Sequence, residues 1–327
     1  MMLALIQITP LHWAGFIACV LFFLALDLGV LNRTAHVVKF KEALTWSVVW
    51  CVLAMVFAAA LIPLRGKEEA VEFVTGYIIE LSLSMDNVFV IALIFTFFRV
   101  EQKFQHRVLF WGILGALVMC GAMILAGAAL ISRFQWTLYF FGAFLVFTGL
   151  KMLFTDDKGV EPEKNPVIKL ARKFFPVADG NHGEKFLIRL NGKKMLTTLA
   201  LVLLMVETTD LIFALDSIPA IFAVTTKPFI VFTSNVFAIL GLRSLYFVLA
   251  GAIDYFRYLK IGLSVVLIFI GAKMLLEPHG DSARQWFQID IPTPVSLLVI
   301  AGILTTAILA SAIAAKREKK LTTDKHR

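Results

Sequence analysis

Two stretches carry the residues able to do chemistry. The first, "IIELSLSMDNVFVIALIF" (Ile78–Phe95), sets Glu80, Asp86 and Asn87 among apolar residues that cover every side of a helix. The second, "LVLLMVETTDLIFALDSIPAIFAV" (Leu201–Val224), holds Glu207, Asp210 and Asp216 in the same kind of setting, with Ser217 beside the last acid. Asp27, in "FLALDLG", adds a further carboxylate. An ionised Asp or Glu at the centre of a membrane helix costs about 2.5–3.5 kcal/mol on insertion scales. Such a group needs a proton, a basic neighbour or a bound cation. Arg243 is the deep basic residue, read as a structural or gate counter-charge, while Lys151 and Lys273 fall near segment ends, where Lys273 can snorkel to the interface. One deep arginine does not neutralise these acids, and the surplus predicts a site that holds and releases cations.

The ligand types narrow the cation. Carboxylate and amide oxygens are hard donors suited to Mn2+, Mg2+ or Ca2+, whereas a soft-metal carrier calls for buried Cys or clustered His. Cys19, Cys51 and Cys120 lie singly in apolar runs without CxxC spacing, and read as small core or lipid-facing residues. The six histidines fall at segment ends, in connectors or in the tail. Asn87 and Asn235 are the amide candidates. Met85 and Met205 read first as filler and second as weak thioether donors. Glu80, Glu207 and Asp210 have proton carriage as an alternative to direct ligation, and Asp27, near a segment end, has headgroup contact as its alternative.

Helix spacing divides the candidates. Glu80 and Asn87, seven apart, share a face, while Asp86 lies about 120° away from Glu80. Glu207 and Asp210 share a face, but Asp216 stands about 120° from Asp210 on a regular helix. Pro219 offers a way to bring Asp216 inward, because it cannot donate to the carbonyl of Leu215 and favours a kink that frees this oxygen as a further ligand. Broken helices of this kind are where transporters place ions.

The elements that must position these residues are membrane helices. Hydrophobic residues make up 59% of 327 and charged residues 17%, with a mean hydropathy of +0.84; ordinary soluble domains hold about 25% charged residues. The expected fold is all-α and polytopic. Nine spans are predicted, at 9–31, 44–64, 71–98, 108–131, 136–154, 197–224, 229–250, 260–276 and 293–315. Residues 1–154 then form spans one to five, 155–195 a basic cytoplasmic loop able to form a small hairpin or interfacial helix, 196–315 spans six to nine, and 316–327 a cytoplasmic tail.

The net charge of +8 sits in connectors, not in a nucleic-acid patch. Lys and Arg concentrate in alternate connectors, most densely between Lys151 and Lys194, and in the tail from Lys316 to Arg327. That bias predicts an N-terminus outside and a C-terminus in the cytoplasm of a bacterial inner membrane.

An internal duplication is also legible. "FTGLKMLF" (Phe147–Phe154) resembles "FIGAKMLL" (Phe269–Leu276), "ILAGA" at 124–128 resembles "VLAGA" at 248–252, and Glu80-x5-Asp86 has the spacing of Asp210-x5-Asp216. An alternative register pairs Glu80 with Glu207. Spans three to five (71–154) are read as a copy of spans six to eight (197–276), and an odd number of helices per copy makes the repeat inverted, a common plan for secondary transporters.

At "ELSLSMDNVFVIALIF" and "ETTDLIFALDSIPAIF" the chain resembles the TerC/Alx family of bacterial integral membrane proteins, over most of its membrane portion. The family is linked by name to tellurium resistance, its Alx-like branch is associated with manganese efflux, and it is grouped with LysE-type transporters. The resemblance implies Glu80, Asp86, Asn87, Glu207, Asp210, Asp216 and Ser217 as site residues, and sharpens the hard divalent cation to Mn2+. Met85 stands where a plain aliphatic is expected. Tellurite tolerance would then be indirect, since an oxyanion carrier calls for positive charge at its site.

The expected function is a secondary transporter exporting a divalent cation, with protons as the exchanged ion. Export of M2+ from a negative interior costs about 4.6 kcal/mol per 100 mV. No GxxxxGK[ST] stretch offers a nucleotide site, so the driving force expected is an ion gradient, with at least two protons to balance the charge. A downhill divalent-cation channel and a non-transporting membrane scaffold are the alternatives. HExxH and membrane Ser–His pairings are lacking, and no enzyme activity or organic cofactor is expected. The expected partners are the divalent cation, protons and membrane lipid, with no nucleic acid.

Overall fold

Apolar length makes the helices, and a few Gly, Pro and capping residues set their ends. The computed structural model describes residues 8–26, 40–154, 165–178, 183, 185–190, 193–250, 258–278, 288–289 and 291–325. Among the described residues the regular structure is helical apart from one hairpin. Its helices are α1 (Pro10–Leu26), α2 (Phe40–Arg65), α3 (Lys67–Phe97), α4 (Gln102–Arg133), α5 (Thr137–Phe154), α6 (Pro166–Phe174), α7 (Thr198–Phe222), α8 (Pro228–Ala250), α9 (Leu259–Leu276) and α10 (Thr293–Lys325). Strands β1 (Leu187–Leu190) and β2 (Lys193–Leu196) pair antiparallel between α6 and α7.

Eight of these helices, α2–α5 and α7–α10, are long and apolar enough to cross a membrane. The protein is therefore a polytopic all-α membrane protein. α1 coincides with the first predicted span but has 17 residues, and Asp27, just beyond it, lies outside the described residues.

Several ends differ from those predicted, for physical reasons. α3 starts at Lys67 rather than 71, because Gly66, at φ 98°, takes the left-handed turn that separates it from α2. Glu68 and Glu69 then fall in its first turn, where carboxylates favour a helix N-terminus. α10 runs through 316–325 as one helix, with no Gly or Pro after Gly302 to stop it. α7 is capped by Thr197, whose Oγ1 accepts from Ala200 N at 3.2 Å.

The central helices α3, α4, α7 and α8 pack together, with α5 lying along α9 beside them. α3 packs on α8, and α4 packs on α7. Exchanging α3–α5 with α7–α9 leaves these pairings unchanged, an arrangement compatible with the predicted duplication. The α5–α9 contact repeats the exchange in detail. A Cβ on Gly142 would stand 3.0 Å from the Gly271 carbonyl, and one on Gly149 would stand 2.9 Å from that of Ser264. In the register that superposes "FTGLKMLF" on "FIGAKMLL", Gly142 corresponds to Ser264 and Gly149 to Gly271.

Candidate cation site

Three neighbouring helices bring their polar groups inward near the middle of the bundle. Glu80, from the centre of α3, is 4% exposed. Ser217 of α7 and Asn235 of α8 lie against its carboxyl group, and its Oε2 makes no hydrogen bond. Asp210 of α7 is 7% exposed, within electrostatic reach of Glu80 and Glu207, and its Oδ1 is also unpaired. Asn235 is fully buried, with neither Oδ1 nor Nδ2 completing a hydrogen bond, and Asn87 adds another unpaired Oδ1. Leaving a buried polar atom unpaired costs about 1–3 kcal/mol, so a concentration of them marks a place where some other group belongs.

Glycines make room for these side chains. A Cβ on Gly115 of α4 would overlap the Glu207 carboxyl, so the absence of a side chain there is the space into which Glu207 reaches. A Cβ on Gly76 would stand 2.9 Å from Ser234 Oγ, which lets α8 approach α3 closely one residue before Asn235. Neither glycine belongs to the acidic stretches, and their spacing in sequence gave no sign of a role. Cys120, also on α4, is buried within electrostatic reach of Glu80, Glu207 and Asp210. Of the sequence expectations for it, core rather than lipid-facing is the one the structure supports.

Not every predicted residue joins this group. Asp216 turns toward Thr148 and Lys151 of α5. α7 passes through Pro219 as one helix, so the expected inward turn of Asp216 does not occur, and the Leu215 side chain is exposed on the bundle exterior. Asp86 and Arg243 are partly buried and engaged by other groups. Met85 packs against the apolar core, and Met205 Sδ accepts a hydrogen bond from Asn165 Nδ2 at 3.2 Å. Lys273 is 4% exposed and extends to the helix ends, with Nζ 3.5 Å from both the Ala223 carbonyl at the end of α7 and Glu277 Oε1 at the end of α9. The carbonyl end of α7 is a favourable place for a cation.

None of the described ion pairs involves Glu80, Glu207 or Asp210. Among the described residues, no three His, Cys, Asp or Glu side chains converge closely enough to hold a metal by themselves. The donors that do meet are acids mixed with amide and hydroxyl oxygens.

A second charged group lies at the end of the bundle where α2 meets α3. Arg65 donates from Nε to Glu69 Oε2 and from Nη2 to Glu69 Oε1, each at 2.8 Å. Lys227 Nζ stands 3.4 Å from Glu69 Oε1 and 3.2 Å from Glu72 Oε1, and Thr225 Oγ1 donates to Glu72 Oε2 at 2.9 Å. Both glutamates are buried. In the sequence, the Arg65–Glu69 spacing of four, a helical-pair signal, is the one trace of this network.

Apolar helices around buried, unpaired acids define an integral membrane protein with a polar centre. The chain belongs to the TerC family of integral membrane proteins, whose pattern matches residues 65–319. It is 52% identical over 305 residues to an uncharacterized membrane protein of Myxococcus xanthus, covering 93% of each chain. It is 46% identical over 315 residues to Alx of Escherichia coli (strain K12), which its name proposes to be a membrane-bound redox modulator, covering 93% of this chain and 95% of that one. A membrane protein of Rickettsia felis is 39% identical over 303 residues, covering 93% of this chain and 98% of that one. No solved structure matches it.

Proposed function

We propose that the protein is a secondary transporter, not an enzyme, that exports a hard divalent cation, Mn2+ first among them, in exchange for protons. One observation carries the reading: Glu80, Asp210 and Asn235 come together from α3, α7 and α8 with buried polar atoms unpaired, and Glu80 and Asp210 have no basic partner among the described ion pairs. A cation or protons would supply the missing charge. Hard oxygen donors favour Mn2+ or Mg2+ over soft metals, and the resemblance of the two acidic stretches to the Alx-like branch associated with manganese efflux favours Mn2+ among these. Because acids alone do not form a shell, amide and hydroxyl oxygens from Asn87, Asn235 and Ser217 complete it, with Glu207 moving from its space beside Gly115.

The same carboxylates would carry the returning protons, two or more for each metal ion. On this reading Asp86 and Asp216 would serve the path to this centre, and Arg243 would serve as counter-charge. The N-terminus lies outside and the C-terminus in the cytoplasm of the inner membrane, as the charge bias requires. Tellurite tolerance, on this reading, follows from metal balance.

The test is flux in sealed vesicles enclosing a metal-sensitive dye, with Mn2+, Mg2+, Ca2+ or Zn2+ outside and a pH gradient imposed or collapsed. Mn2+ movement that needs the gradient and vanishes in Glu80→Gln supports exchange. Movement unaffected by collapse of the gradient indicates a channel. No flux of any metal through inserted, folded protein overturns transport and leaves a membrane scaffold.

A further inference from the structure

Helix α6 is unlike the membrane helices around it. It is nine residues, "PVIKLARKF", with a sharp separation of apolar and basic faces. Asn165 caps it, accepting from Val167 N at 2.9 Å, and Pro166 at its first position fits the fixed helical φ. At 100° per residue, Leu170, Phe174, Val167, Ala171 and Ile168 form one apolar arc of roughly 160°, and Arg172, Lys169 and Lys173 occupy the rest.

Among the described residues, one edge of that arc is covered by protein. Ile168 is fully buried and Ala171 packs beside it, in a cluster with Leu199, Val202 and Met205 of α7. The other edge is bare: Leu170 is 56% exposed and Phe174 69%, with Val167 next to them. The position of α6 says what covers this edge. The Asn165–Met205 hydrogen bond fixes its start beside the seventh residue after Thr198, roughly 10 Å along α7 at 1.5 Å per residue. α7 is one of the helices long and apolar enough to cross a membrane, so the bare edge of α6 stands beside a membrane-spanning segment. The helix carries three basic residues and no acid, which complements anionic headgroups.

We propose that α6 is an interfacial helix, seating Val167, Leu170 and Phe174 in the bilayer that surrounds the protein and setting Lys169, Arg172 and Lys173 against anionic lipid headgroups. Its covered edge clamps the first turns of α7, the helix that carries Glu207 and Asp210. The membrane surface involved is the one where α5 ends and α7 begins, and the inference stands whether or not the protein moves metal.

The experiment uses the full chain in vesicles of phosphatidylcholine with or without phosphatidylglycerol. Cys19, Cys51 and Cys120 are replaced by alanine, and an environment-sensitive fluorophore is attached at Leu170→Cys, Lys173→Cys or, as a lipid-facing control, Leu298→Cys. With phosphatidylglycerol, the probe at 170 should be quenched by nitroxide placed roughly 5–10 Å below the headgroups and protected from iodide, while the probe at 173 remains open to iodide. Withdrawing phosphatidylglycerol, or combining Lys169→Gln, Arg172→Gln and Lys173→Gln, should return iodide quenching at 170. Lipid contact indifferent to headgroup charge overturns the anionic recognition. Iodide quenching at 170 equal to that at 173 in both lipids overturns the seating altogether. Should the cysteine-free chain fail to fold, a benzophenone amino acid at position 170 of the otherwise native chain gives the same decision: crosslinks to lipid uphold the seating, and crosslinks to a soluble protein or to water-phase probes overturn it.

Discussion

Helix α3 buries acids in two ways. Glu69 and Glu72, in its first two turns, have Arg65, Lys227 and Thr225 close enough to answer both carboxylates. Glu80, two turns beyond Glu72, meets a hydroxyl, an amide and another acid. The difference separates a charge that holds the structure together from a charge left for something else. A buried carboxylate with its bases present is complete as folded. One without them keeps a demand for positive charge that only a mobile ion or proton satisfies.

The largest break in this comparison should come from removing an acid at the centre. Asp210→Asn keeps the shape but removes the charge, and metal flux should fall to that of protein-free vesicles. Its unfolding midpoint in detergent should hold or rise, since a like-charged neighbour is relieved and no ion pair is lost. A clear loss of stability would place Asp210 with Glu72, as structure.

Lys227→Met should do the reverse. It leaves Glu72 with Thr225 alone and Glu69 with Arg65 alone. Breaking a fully buried pair costs about 3–5 kcal/mol. Lys227 is 40% exposed, so screening reduces the expected loss to about 1–3 kcal/mol, measurable by reversible unfolding in mixed micelles. An unchanged midpoint would mean the network is ornamental.

Arg65→Lys tests the same end more gently. The ammonium keeps the charge but cannot reproduce the paired Nε and Nη2 bonds to Glu69, and the loss should be about 1 kcal/mol. High salt should weaken the wild-type midpoint less than the variant's, because the bidentate pair is partly buried.

The two regions were not equally legible in the sequence. Acids inside long apolar runs announce themselves by their cost, so Glu80, Glu207 and Asp210 stood out before any helix was placed. The Arg65–Lys227 network did not, because Arg65, Glu69 and Lys227 flank the apolar runs and read as ordinary connector charge until Gly66 is seen to start α3 early, and Glu72 sits at the very edge of its predicted span. Asp216 shows the opposite case. Its spacing from Asp210 puts it on another face, and only a break at Pro219 would have returned it; a helix that continues through proline sends it to Thr148 and Lys151 instead. Membrane character and span positions came from hydropathy alone, whereas the partners of each polar group depend on which helices pack together, and no single helix encodes that.

The smallest expected effect on stability tests the space itself. Gly115→Ala puts a methyl where the Glu207 carboxyl now lies. The obstacle is the end of a flexible side chain, so Glu207 can swing aside, and alanine gains up to about 1 kcal/mol of helix propensity over glycine. The unfolding midpoint should therefore stay level or rise slightly. Metal flux should nonetheless drop severalfold, because the displaced carboxyl no longer rests beside Asp210. If flux is retained, Glu207 does not use that space during transport, and the centre reduces to Glu80 and Asp210 with their amide neighbours. If stability falls as well, α4 and α7 are packed too closely for the carboxyl to move, and Gly115 belongs with the glycines that join α5 to α9 as a packing residue.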